Sequence, residues 1–451
     1  MIQAKTVSSK LIDEYGKVPH MGSFDLIVAG GGVAGVATAL AARRAGRSVL
    51  LIEKSMMLGG LATLGLVNLF VPMCNGRGKQ IIFGMAEELL RLSAKYSYDT
   101  IPDEWKDGEP SEPTEKRYIN RFSPNIFALT LLESLVEEGV ELLFDSVVSK
   151  PVMEGTRCKG LIVENKSGRE YYEGKITADM TGDSDILFRA GIPTMQGRNY
   201  FIYSTKAITI ESCKKAAESG KINAAFTGRS GGGANLYGKN HPEGMKFFKG
   251  TDAQDVTEFL IKNQIRLLEN IKKEDRFSRD IVTLPGMMQY RTTRCLQGDY
   301  ILKEEDRYVH FDDSISAICD FERRDFLYEV PLRCLCRKGF DNIITAGRSA
   351  SGIGYGWDLL RVIPPAIVTG QAAGIAASLA IESGKPVSDV DIKTLQSDLS
   401  AAGIMVHFPD ELIPEGAPIG GTAASGSNKS LVRKLGDEIP EMGEKVDIGH
   451  I

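Results

Sequence analysis

The sequence predicts an α/β protein built on a parallel sheet, with a small β-meander and an inserted α+β segment. Three observations predict it. Residues Phe24 to Glu53 read FDLIVAGGGVAGVATALAARRAGRSVLLIE, a succession of strand, glycine turn, Ala-rich stretch, strand and terminal acid. Far downstream, Ile343-Ile344-Thr345-Ala346 is another short apolar run, and it ends on Gly347. Between the two blocks, residues from about 195 to 330 lose this rhythm and alternate short strand, helix and glycine-rich signals.

Each part of the first block has a mechanical task. Phe24 to Ala29 suits a buried parallel strand, and Gly30-Gly31-Gly32-Val33-Ala34-Gly35 supplies G-x-G-x-x-G at its end. Val36 to Ala45 has no helix breaker, Gly46 stops the helix, Ser48 to Ile52 is a second strand, and Glu53 stands where a ribose-binding acid belongs. Gly30 permits a tight turn, Gly32 lets backbone approach a pyrophosphate, and Gly35 lets helix and strand pack closely. The N–H groups of the helix start favour phosphate, and a carboxylate at Glu53 favours ribose hydroxyls and repels a 2′-phosphate.

Composition bounds the rest. A chain of 451 residues has room for two domains, and 43% hydrophobic with 25% charged residues is ordinary for a globular enzyme. The formal charge of −5, without a long basic run, argues against nucleic acid as a partner. Seven cysteines without a C-x-x-C suit a reducing, cytoplasmic setting, and the first 22 residues carry no apolar leader. Ile363 to Ile381 is long enough for a membrane span, but Thr369, Gln371 and several glycines make a packed small-residue helix the better reading. No membrane role is expected.

Along the chain, Gly59-Gly60 follows the acid, and Leu64 to Cys74 is apolar. Helical spacing runs from Ile81 to Lys95. Ser97 to Arg121 is so rich in proline that it reads as a long surface loop bordering a pocket. Ser123 and Pro124 open a helix that Gly139 closes. Strands follow at Val140 to Phe144 and Ser146 to Met153, and Leu161 to Glu164, Glu170 to Lys175 and Ile176 to Met180 complete the meander. The turn Asp179-Met180-Thr181-Gly182-Asp183-Ser184-Asp185 brings a side-chain-free residue to a place where backbone approaches something closely, or is a plain Asp-rich turn. In the insert, Tyr200 to Ile210 is a strand, Glu211 to Ser219 and Gln254 to Lys272 are helices, and Thr227 to Gly238 reads as a mobile flap or a linker. Ala366 to Glu382 is the small-residue helix, and Val390 to Ala402 the last amphipathic one. The implied domains are an extension at 1–23, a nucleotide-binding part at 24–195, a substrate or cap part at 196–330, a return at 331–405 and a polar tail at 406–451.

Three blocks in this order, GGGVAG with Glu53 and Gly59-Gly60, DMTGDSD, and NIITAGRSASGIGYGWDLLRVIPPAIVTGQAAGIAASLA, resemble the FAD-dependent oxidoreductases of the glutathione-reductase/fumarate-reductase superfamily. A bacterial group within it also carries R-x-x-R-x-x-x-G-x-Y-x-L, matched here by Arg291, Arg294, Gly298, Tyr300 and Leu302. The resemblance covers residues 24 to 405 and implies a Rossmann-like FAD-binding domain. It assigns Gly30, Gly32, Val33, Ala34 and Gly35 to the pyrophosphate, Glu53 and Lys54 to the adenosine side, and Gly59, Gly60 and Leu61 to the flavin side. It further implies cofactor contacts from Val148, Thr181, Gly182, Gly347, Arg348, Arg361 and Val362. Where relatives carry a His-bearing stretch before the Tyr-x-x-Pro block, this chain has Cys319-Asp320-Phe321-Glu322-Arg323, with His310 upstream.

Five residues are candidates for chemistry. Arg291 and Arg294 face together if their segment is helical and then clamp an anion; otherwise they are solvated surface arginines. Arg361 binds substrate or lies over the flavin ring, unless it pairs with Asp358. Cys74 is a thiol near the flavin or a buried inert one. His310 is an acid/base candidate, and no metal site is read. With no second G-x-G-x-x-G after a strand, electrons come from a small-molecule substrate, from transient NAD(P)H or from a redox partner protein. The expected function is hydride transfer between FAD and a small anionic substrate, in a chain that is a candidate homo-oligomer. The rivals are an FAD-dependent RNA-modifying protein, a non-catalytic FAD-binding protein and a plain NAD-dependent dehydrogenase.

Overall fold

The computed structural model describes residues 16–415 and 417; the expected extension and polar tail fall largely outside the described residues. A seven-stranded mixed sheet organises the chain. Glu141–Leu143, Val49–Ile52, His20–Ala29, the C-terminal half of Gly168–Asp179, and Ile343–Thr345 run parallel. Val147–Glu154 and Arg157–Asn165 add the antiparallel meander to the N-terminal half of Gly168–Asp179. The two strands expected at Glu170 to Lys175 and Ile176 to Met180 are therefore one, whose residues Tyr171 to Glu173 pair with the meander on one side and the first strand on the other. The first strand also begins earlier than its apolar run, because His20 and Gly22 pair with Tyr171 and Tyr172.

The registers set the functional edge. Ala29 pairs with Ile52 on one side and Asp179 on the other, and Asp179 pairs with Thr345. Four strands thus end level, and the loops at Gly30, Glu53, Met180 and Ala346 leave from one carboxyl edge, where open α/β sheets bind ligands.

The helix Val33–Arg44 is covered by Ile363–Ser383. Glycines decide that contact: a Cβ on Gly370 would meet the Ala34 carbonyl oxygen at 2.3 Å, and one on Gly374 the Thr38 oxygen at 2.5 Å. The Thr38 hydroxyl donates across the seam to the Gly370 oxygen at 2.9 Å. Ile363–Ser383 is the one helix among the described residues long and apolar enough to cross a membrane, and 89% of its most apolar window is buried inside the protein.

Two loop expectations are corrected. Ser97 to Arg121 has the expected exposed stretch but is anchored to the core, since Trp105 and Tyr118 are wholly buried and stacked at 4.9 Å, and the indole N–H donates to the Lys116 oxygen at 2.8 Å. The prolines leave only a 3-10 turn at Asp103–Trp105 and a two-residue strand at Asn120–Arg121, and they do not prevent burial. Thr227–Gly233 is a strand, not a flap, pairing antiparallel with Ile202–Thr209, which also pairs with Arg279–Thr283. Its glycines make room for the helix Ala253–Ile271 and the neighbouring strand: a Cβ on Gly231 would lie 2.1 Å from the Asn263 oxygen, and one on Gly232 2.5 Å from the Phe201 oxygen. Asp252 caps that helix, accepting from the Gln254 and Asp255 N–H groups.

Candidate functional site

The glycine loop at the sheet edge is a cradle with one open side. Gly30 sits at φ +111°, where a Cβ would strike the Met180 oxygen at 2.4 Å, and a Cβ on Gly35 would lie 1.9 Å from the Gly30 oxygen. Gly32 differs, because nothing lies within 4 Å of its Cβ position. Gly32, Val33 and Ala34 are partly exposed between buried Gly31 and Gly35, and no side chain caps the helix that starts there. Its first N–H groups face the opening with the positive end of the helix dipole behind them.

The second glycine pair closes the cradle from the other side. Gly59 donates its N–H to the Gly31 oxygen at 2.8 Å. Gly60, at φ +55°, would bring a Cβ within 3.1 Å of the Gly32 Cα. Glu53 is tied into the same loop: one carboxylate oxygen accepts from the Gly31 N–H at 2.6 Å, and the other from the Ser55 N–H at 2.8 Å and hydroxyl at 2.7 Å. With about four lone-pair sites on a carboxylate, acceptor capacity remains for a ligand hydroxyl. Lys54 beside it is exposed.

The turn after Asp179 is built by that carboxylate. Its oxygens accept from the Ile186 and Leu187 N–H groups at 2.9 Å each and from the Thr181 N–H and hydroxyl, and burial pushes its pKa up to about 6. The turn is held across the edge, because the Arg348 guanidinium donates to Asp183 at 2.9 Å and to the Tyr290 oxygen at 2.6 Å. Gly182 leaves room for it: a Cβ would be 3.0 Å from an Arg348 Nη. Gly347, at φ +60°, fits between Ala34 and Ala366. Thr181, Gly182, Gly347 and Arg348 therefore meet the glycine cradle at one edge. Val148 lies in the meander, where its carbonyl accepts from Arg189 at 2.8 Å. Arg361 and Val362 form the junction between the helices Tyr355–Arg361 and Ile363–Ser383.

The residues expected to carry chemistry are placed differently. The segment from Met287 to Thr293 has no helix, and only Arg294–Leu296 is regular, as a short strand. Arg291 and Arg294 consequently do not form a clamp. Arg291 spends its donors on the Ala234 and Asn235 carbonyls, and burial, helped by the nearby Arg361, pushes its pKa down to about 10. Arg294 stacks on the Phe188 ring at 4.0 Å and pairs with Asp185 at 3.7 Å. Arg361 is in an ion pair with Asp358 at 2.5 Å. Cys74 is buried, its sulfur accepts from the Tyr118 N–H, and burial raises its pKa, so it is not a poised thiolate. Cys334 and Cys336 are likewise buried, on a 3-10 turn and its exit. His310 is held between Glu329 and Asp410.

Two groups escaped the sequence reading. Asp320 is wholly buried, accepts from the Tyr355 hydroxyl at 2.6 Å and from the Glu322 and Arg323 N–H groups, and leaves one oxygen without a partner. Burial raises its pKa and that of Glu322, which accepts from the Tyr237 hydroxyl. Arg121 and Lys206 are partly buried and have no ion-pair partner among the described residues; burial lowers the pKa of both, and the charge of Arg121 lowers that of Lys206 further. Arg121 pairs with Leu69, downstream of the Gly59-Gly60 loop, and Lys206 lies on the strand that Gln289 ties to Gly65. A signal for the two cations existed only as unremarkable Lys and Arg in separate segments.

A family model described as FAD dependent oxidoreductase matches residues 25–218 and 249–399. Solved structures similar to the chain include p-nitrophenol 4-monooxygenase PnpA of Pseudomonas putida DLL-E4, 13% identical over 87% of this chain and 92% of that one, with a TM-score of 0.47. A geranylgeranyl bacteriochlorophyll reductase-like protein of Thermoplasma acidophilum is 12% identical over 87% and 94%, with a TM-score of 0.41. No curated protein matches the chain.

Proposed function

Because the chain belongs to the FAD dependent oxidoreductase family, we propose that it transfers a hydride between FAD and a small organic anion. The cradle fits that cofactor: the open side of Gly32, the uncapped helix start and the spare acceptor capacity of Glu53 suit a pyrophosphate and an adenosine ribose. On this reading Gly30 to Gly35, Glu53, Gly59 to Leu61, Thr181, Gly182, Gly347 and Arg348 hold the cofactor, and residues 196–330 form the part that meets the substrate. When bound, FAD supplies a carrier for two electrons.

The anionic substrate rests on one observation. Arg291, Arg348 and Arg361 spend donors on carbonyls or carboxylates and Arg294 lies 3.7 Å from Asp185, whereas Arg121 and Lys206 keep theirs free of any acid among the described residues. Two partly desolvated cations that repel one another gain most from a bound carboxylate. Asp320 and Glu322, both raised by burial, are the carboxyl groups suited to proton transfer. All seven cysteines are unpaired, which supports a cytoplasmic setting.

The test is anaerobic mixing of the purified holoprotein with panels of carboxylates, amines and thiols, followed by flavin absorbance. Bleaching by a carboxylate, with an apparent affinity weakened at least tenfold in Lys206→Met, is expected. Bleaching by neutral amines or thiols alone, or by NADPH alone, would overturn the anionic-donor reading.

A further inference from the structure

A hairpin formed by Ser314–Cys319 and Leu327–Pro331 carries a fully buried carboxylate, Glu329. A charge taken from water demands compensation, yet its ion-pair partners among the described residues are two imidazoles and no Lys or Arg. His310 Nδ1 lies 2.6 Å from one Glu329 oxygen, and His407 Nδ1 lies 3.1 Å from both. All three residues offer ligand atoms within 4.8 Å of one another.

Both ring nitrogens of His310 face carboxylates. Nε2 lies 2.7 Å from an Asp410 carboxylate oxygen. In the neutral tautomer an Nε2–H donated there leaves the Nδ1 lone pair directed at Glu329, which also has only lone pairs to offer, whereas in the imidazolium Nδ1–H donates to Glu329. In the neutral ring these two acceptors need a cation between them, and a divalent metal ion takes the place that the imidazolium proton otherwise fills. A carboxylate behind a histidine is how metal-binding imidazoles are oriented.

The ligands are held before any ion arrives. The Ala317 N–H donates to the Met405 oxygen at 2.7 Å, and the Ser314 hydroxyl to the Val406 oxygen at 2.6 Å, which fixes the segment carrying His407 along the hairpin edge. The Phe408 ring lies 4.4 Å from that of His310 and limits its rotation. The His310 and His407 side chains keep 38% and 45% of their surface exposed, leaving an entry path and room for water to complete the coordination. In a tetrahedral site with bonds near 2.1 Å, neighbouring ligand atoms are about 3.4 Å apart, close to the 3.1 Å between His407 Nδ1 and Glu329 and somewhat more than the 2.6 Å between His310 Nδ1 and Glu329.

We propose that His310, Glu329 and His407 bind one divalent transition-metal ion of the zinc class, with Asp410 orienting His310. Two imidazoles and a carboxylate suit Zn2+ rather than Mg2+ or Ca2+, which take all-oxygen sites. The ion would clasp the segment after the last helix to the hairpin whose turn carries Asp320 and Glu322. This inference stands apart from the proposed substrate.

The test uses the full-length holoprotein, stripped with a chelator and titrated with Zn2+ by calorimetry, with metal content measured after dialysis. One equivalent is expected. His310→Ala and His407→Ala should each weaken binding at least tenfold, and Asp410→Asn by about tenfold to a hundredfold. Zn2+ should raise the unfolding temperature of the parent protein and leave that of the double histidine variant unchanged. FAD content and far-UV dichroism confirm that the variants fold; should an alanine variant fail this, His407→Gln, at an exposed position, replaces it. Absence of binding above the level of the double variant, or one equivalent bound equally well by every variant, would overturn the proposal.

Discussion

The Glu53 carboxylate accepts the Gly31 N–H at 2.6 Å, so the acid that ends the second strand holds the loop that ends the first. Cradle shape and acid position are therefore one feature. In Glu53→Gln, an amide donor comes to face either the Gly31 or the Ser55 N–H, and leaving a buried donor unmet costs about 1–3 kcal/mol. FAD should bind about tenfold to a hundredfold more weakly, measured by fluorescence titration of the apoprotein. Unchanged affinity would separate Glu53 from the cradle.

Replacing glycine by alanine inside a helix ordinarily stabilises by about 1 kcal/mol. At Gly370 the sign should reverse. The new Cβ would sit 2.3 Å from the Ala34 oxygen in a contact between two backbones that have no side chain to move aside. We expect Gly370→Ala to destabilise by about 2–4 kcal/mol in chemical denaturation, because overpacking of a close contact outweighs the propensity gain.

Trp105 should behave as a core residue despite its proline-rich surroundings. It is wholly buried, stacks on Tyr118 and donates to the Lys116 oxygen. Trp105→Ala is expected to cost about 3–5 kcal/mol and to open the segment between Ser97 and Arg121 to limited proteolysis. A variant as stable and as resistant as the parent would restore the surface-loop reading.

Asp179 gives a pH dependence whose sign is fixed. Its folded pKa, about 6, lies above the ordinary value of 3.8, so the folded state binds the extra proton between those values. Its contribution to stability therefore rises as pH falls from about 6 towards 4, by at most about 3 kcal/mol. Asp179→Asn has no such proton to gain. The unfolding free energy of the parent minus that of the variant should grow on acidification through this window; a flat or falling difference would contradict the burial argument.

Much of the fold was legible because it is local. The strand, G-x-G-x-x-G turn, Ala-rich helix and Glu53 lie within one stretch, and their spacing alone implies a βαβ unit. Pro124 after Ser123, and Asp252 before Ala253, likewise marked helix starts that the structure keeps. The misreadings came where composition was informative but its cause was distant. Glycines in Thr227–Gly233 suggested looseness, while they serve the helix Ala253–Ile271 packed upon them. Prolines in Ser97 to Arg121 suggested exposure, while Trp105 and Tyr118 turn inward.

Sequence alone determined the nucleotide-binding unit and the small-residue helix, since these depend on backbone freedom and periodicity that any local window contains, while the cofactor class came from the family that its motifs resemble. Tertiary structure decided which charges are spent. Arg291 and Arg294 share a motif but part company on an irregular backbone, one bonding carbonyls and the other stacking on Phe188. Arg121 with Lys206, and His310 with Glu329 and His407, become groups only when separate segments fold side by side. Electrostatic roles follow distance in space and loss of water, and neither quantity is written along the chain.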